Sequence, residues 1–262
     1  MNNSIRKDVQ GKYLDNIRVY GQTRSDIGYV ARTNTKGQEF EMVKKYLNHL
    51  VLKYGKLKNK KVAIFIEPQL DTGYPDIVIV EYFSLPTNKW EISRSDLTCT
   101  DLKILFYIQG QKNSSISEIS HTLGYPSASV EGSLKKLSAA GMVYLSKSKK
   151  YVRNVRLETY CRIHKIIAIE AKIDKWKDAI RQASNNVWFA TESYILINKE
   201  SCSPTISETC KANGIGIILV NGTIKKELAS TQRRFPVSYA SLQFNEWILR
   251  DLNSRRENND NY

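Results

Sequence analysis

Ile166-Ile167-Ala168-Ile169-Glu170-Ala171-Lys172-Ile173 decides the fold expected of this chain. It reads as an apolar strand with charged chemistry at one end. Side chains alternate along a strand, so Glu170 and Lys172 point to the same face. Upstream, Pro75-Asp76-Ile77-Val78-Ile79-Val80 has the same build, with the acid at its start. A carboxylate and a lysine side by side, facing a second strand-borne carboxylate, are the residue types of a divalent-metal site that cuts phosphodiesters.

Composition narrows the partner. The chain has 262 residues, 40 Lys plus Arg against 26 Asp plus Glu, and a formal charge of +14. That excess favours a polyanion, most simply nucleic acid, with an anionic membrane surface as the competing reading. No apolar run is long enough to span a bilayer, and Met1-Asn2-Asn3-Ser4-Ile5-Arg6-Lys7 lacks the apolar stretch of a signal peptide. Cys99, Cys161, Cys202 and Cys210 form no CxxC pair and no zinc spacing with His49, His121 or His164. Free thiols in a reducing cytoplasm are the expectation.

Outward from the two strands, residues 1–36 read as a polar arm with a short strand near Ile17-Arg18-Val19-Tyr20. Phe40, Val43, Leu47, Leu50 and Val51 predict a helix that starts near Gly37 and ends at Gly55. Val62–Ile66 and Asp76–Phe83 follow as strands. Thr100–Ile108, Ser115–Leu123 and Ser127–Ala140 then read as helices, with a turn at Gly124-Tyr125-Pro126 and Gly141 as a stop. Residues 142–153 read as a hairpin with a lysine-rich tip. After the motif strand, Asp174 is expected to cap a helix that runs to Asn185. Trp188–Ile197 and Gly216–Val220 read as strands around a helix at Thr205–Ala212. Ser238–Leu252 reads as a closing helix, and 254–262 as a disordered tail.

The order helix, strand, strand with a leading Asp, insertion, strand ending in Glu-x-Lys, helix, strand resembles the PD-(D/E)xK, or restriction-endonuclease-like, nucleases over residues 37–83 and 160–222. The fold implied is α/β, a central mixed sheet flanked by helices, with core segments 37–96 and 157–253. Asp76 and Glu170 would hold Mg²⁺, with Mn²⁺ able to substitute. The resemblance adds the Ala171 carbonyl as a ligand. Lys172 would orient the attacking water and offset developing charge. The resemblance also brings in Glu39 on the first helix and Gln182 as a supporting residue, with Glu67 the alternative to Glu39. The activity implied is metal-dependent hydrolysis of DNA.

Residues 97–156 have the order of a winged helix-turn-helix and resemble MarR-type winged helices. The recognition helix would be Ser127–Ala140, with Ser127, Ser129, Glu131 and Ser133 exposed towards base edges and Lys135 and Lys136 on phosphates. Lys147, Lys149, Lys150 and Arg153 of the wing suit the DNA backbone or minor groove. Duplex DNA is the expected partner. A homodimer would bring two sites to two strands. The rival readings are a non-catalytic DNA-binding regulator and a DNA-docking subunit.

Overall fold

The computed structural model describes residues 16–32, 37–56, 60–83, 92–111, 113–146 and 151–259. The chain forms two compact units, Met1–Ser84 with Ile163–Val237, and Leu85–Arg162 with Ser238–Tyr262. The first unit opens with β1 (Ile17–Tyr20), α1 (Gln38–Gly55), β2 (Lys61–Ile66) and β3 (Ile77–Tyr82). The chain then builds α2 (Cys99–Gln109), β4 (Ser114–Ser115), α3 (Ile116–Leu123), α4 (Ser127–Ala139), β5 (Val143–Leu145), β6 (Tyr151–Asn154) and α5 (Leu157–Tyr160) of the second unit. It returns with β7 (Ile163–Lys172), α6 (Trp176–Asn186), β8 (Glu192–Ile197), α7 (Pro204–Ala212), β9 (Gly216–Leu219) and β10 (Lys225–Leu228). The last helix, α8 (Tyr239–Asn259), belongs to the second unit.

The first unit is an α/β structure around a mixed seven-stranded sheet ordered β1-β2-β3-β7-β8-β9-β10. β2 and β3 are antiparallel, as are β3 and β7, while β7, β8 and β9 run parallel. Every residue of β3 and β8 is buried, which requires near-continuous apolar runs. One face is covered by α1, whose Val43, Leu47, Leu50 and Tyr54 share a core with Ile64, Ile79, Ile167 and Ile169. On the other face Ile180, Ala183 and Ile206 of α6 and α7 pack with Ile195, Ile197 and Ile217. Each fully buried Leu or Ile contributes about 1.5–3 kcal/mol. The register places Ile77 opposite Ile169. One step further along the antiparallel pair puts Asp76 opposite Glu170, on the same face.

Capping organises the second unit. Thr98 and Asp101 form a capping box on α2, and Ser115 and Glu118 form another on α3. Gly124, at φ 70°, turns the chain from α3 towards α4, a conformation that favours glycine. Val130, Leu134 and Leu137 of α4 are buried, as are Leu102, Leu105 and Ile119 of the two preceding helices. The small sheet runs β4-β6-β5. This is the helix, helix, helix, hairpin order of a winged helix-turn-helix.

Three expectations are corrected. Asp174 does not cap α6. That helix starts at Trp176, Lys175 stands at the cap with no side-chain bond, and the Asp174 carbonyl accepts from the Trp176 amide at 3.0 Å. The polar segment 254–259 is helical, because α8 continues to Asn259 with Arg255 bonding Asp251 one turn earlier. α8 also does not close the α/β core. It lies against α2, and Arg94, in the segment ahead of α2, meets Glu246 of α8 with Nη2 2.7 Å from Oε1 in a buried pair. Strand β10 was unread because its Lys-Lys-Glu start has no apolar signature; it is an exposed sheet edge, which tolerates charge. No helix among the described residues is long and apolar enough to cross a membrane.

Candidate nucleic-acid interface and carboxylate cluster

The ends of β3 and β7 bring four charged side chains together. Asp76 Oδ2 accepts from the Ala171 amide at 2.7 Å, so its carboxylate holds the motif strand by the backbone. Glu170 is buried, and its Oε1 accepts from Asn186 Nδ2 of α6 at 2.6 Å. Lys172 Nζ meets Glu39 Oε2 at 3.1 Å. Burial pushes the Glu170 pKa up to about 8, and the neighbouring Asp76 charge adds to the rise. The Asp76 pKa is raised as well, chiefly by burial, although the Ala171 amide and Lys172 oppose it. Burial works against the charge of Lys172, but Asp76, Glu39 and Glu170 together raise its pKa. Both carboxyl groups are thus pushed towards their protonated form, beside a lysine whose charge the same acids favour.

The remaining residues named from sequence fall at different distances from this centre. Gln182 lies on α6 one turn before Asn186, and its buried Oε1 has no hydrogen-bond partner among the described residues. Glu67 adopts φ 47°, and its backbone amide donates to the Asp76 carbonyl at 3.1 Å. Its backbone therefore sets Asp76, whereas Glu39 supplies a side chain to Lys172. Asn186 escaped the sequence reading. The only signal for it was its place one helical turn beyond Gln182 on the face that covers β7. Among the described residues no group of three or more His, Cys, Asp or Glu side chains is arranged to hold a metal.

In the second unit, α4 exposes Ser127, Ser129, Glu131 and Lys135 while Val130, Leu134 and Leu137 anchor it from below. Ser127 Oγ also donates to Ser120 Oγ at 3.3 Å across the helix-turn-helix. Ser133, expected to be exposed, is buried at 6 % because it falls on the anchored face beside Leu134 and Leu137. Lys136 is exposed as well, but its Nζ lies 3.4 Å from Asp101 Oδ2, so part of its charge is taken up within the unit. Arg153 is exposed on β6 and donates from Nε to Asn113 Oδ1 at 3.0 Å. Lys147, Lys149 and Lys150 lie outside the described residues.

Residues 93–160 match the model of a family described as the sugar-specific transcriptional regulator TrmB. No curated protein matches the chain. The match covers the winged helix and the segments beside it, and the family is one of DNA-binding regulators, not enzymes. It overturns the reading of the chain as a magnesium-dependent nuclease or hydrolase.

Proposed function

We propose that this protein is a non-enzymatic, DNA-binding transcriptional regulator whose winged helix docks on duplex DNA. The observation that carries the proposal is α4, which presents Ser127, Ser129, Glu131 and Lys135 to solvent from a helix-turn-helix inside the stretch matched by the regulator family. Small polar side chains at the start of a recognition helix allow close approach to base edges in the major groove, and lysines position the module on phosphates. The +14 charge of the chain supports the same partner. In this reading the Asp76 and Glu170 pair is a structural clasp. It joins the start of β3 to the end of β7, at the end of the two strands away from the crossover to the second unit.

Duplex binding followed by fluorescence anisotropy tests the proposal. The full chain should bind duplex DNA with an affinity that falls steeply as salt rises. Lys135→Glu should weaken binding to all duplex sequences alike and lower the salt slope by about 1. Unchanged binding and slope in that variant would remove α4 from the interface.

A further inference from the structure

At the other end of β3 and β7 from the carboxyl pair, the first unit carries a second charged constellation. Phe83, just past β3, is 61 % exposed. Its ring stacks on His164, with centroids 4.5 Å apart and planes inclined by 27°. Glu81 lies beneath, buried, and accepts from the Tyr54 hydroxyl at 3.1 Å and from Lys60 Nζ at 3.2 Å. His164 Nε2 stands 3.6 Å from the same carboxylate, which ties the ring pair to the sheet. Lys61 is in register with Tyr82, so Lys60 lies beside Phe83. Lys165, opposite Glu81, is paired with Glu192, and Lys61 turns to the other face of the sheet, where its Nζ donates to Asn16 Oδ1 at 2.9 Å. Burial lowers the His164 pKa although Glu81 opposes it.

A lone exposed phenylalanine is ordinary on a protein surface and carries no meaning. Phe83 differs because its ring is held by an anchored aromatic partner and sits beside the half-exposed Lys60. An open aromatic face complements a nucleobase, and a cation beside it complements a phosphate. A base inside a duplex is already stacked on its neighbours, so the fitting ligand is unpaired. We infer that Phe83 and His164, with Lys60 beside them, form a stacking platform for single-stranded DNA. This gives the α/β unit a nucleic-acid contact of its own. The inference goes beyond the proposed winged-helix function and shares with it only the premise that DNA is the partner.

The test is anisotropy with the full chain, using a short fluorescein-labelled oligothymidylate and, in parallel, a labelled duplex. Phe83→Ala should weaken oligothymidylate binding by about tenfold, the ordinary effect of losing one stacked base. Phe83→Tyr should retain binding. Both variants should bind the duplex as the parent does, and Lys135→Glu should show the reverse pattern. Oligothymidylate binding that is undetectable in the parent, or equal in parent and Phe83→Ala, would overturn the platform, whatever the duplex shows. Loss of duplex binding by the parent would instead count against the winged-helix function.

Discussion

Replacing Glu246 by alanine should cost about 3–5 kcal/mol of stability in the unit formed by Leu85–Arg162 and the C-terminal helix, the usual penalty for breaking a buried ion pair. Both partners are buried, Arg94 at 8 % exposure and Glu246 at 2 %. Arg94 reaches Glu246 through Nη2 at 2.7 Å and Nε at 3.2 Å, and Nη2 also donates to the Tyr160 carbonyl. Asn245 adds a further donor to Glu246. Truncating the acid leaves a guanidinium without its charge partner in a dry environment. The double variant Arg94→Met with Glu246→Leu should recover most of the loss, since a packed apolar pair replaces buried charge well. Urea unfolding measures both. A single variant as stable as the parent would show that α8 is not clamped by this pair.

The second large effect is a pH dependence at the carboxyl pair. Folding lifts the Glu170 pKa from 4.5 to about 8 and also raises that of Asp76. Between those values the folded protein binds protons that the unfolded chain has released. The stability they supply is complete below about pH 4.5 and is lost as pH rises through about 8. Glu170→Gln keeps an oxygen for Asn186 and removes the charge that burial penalises. In EDTA, the variant should be nearly as stable as the parent at about pH 5. At about pH 9 it should be more stable by a few kcal/mol, at about 1.4 kcal/mol per pKa unit. Denaturant midpoints at the two values decide it. A variant destabilised equally at both would mean that Glu170 is not protonated by the fold.

The sheet was legible because its central strands carry their burial in their composition. Ile77–Val80 and Ile166–Ile169 are unbroken apolar runs, and their alternation places Glu170 and Lys172 on one face. The antiparallel register that sets Asp76 opposite Glu170 is a property of the folded sheet, because two strands separated by a long insertion carry no register in their own residues. Two further features were hidden. α8 carries apolar residues that suit either unit, so its residence is decided by Arg94, which lies far away in sequence. Ser133 looked like a recognition residue because serine is small and polar, but helix phase alone puts it on the anchored side of α4. The chemistry of the cluster was the hardest part. Charged residues of the same types in the same places serve a metal or a proton equally well, and their identity does not say which.

One gel separates a regulator from a hydrolase. Supercoiled plasmid is incubated with increasing amounts of the full chain in Mg²⁺, and retardation is read before deproteinising and strand breaks after. The expected result is retarded plasmid that is recovered intact, with retardation weakened by Lys135→Glu. Nicked or linear plasmid that depends on Mg²⁺ and disappears in Asp76→Ala would contradict the regulator and return the carboxyl pair to catalysis.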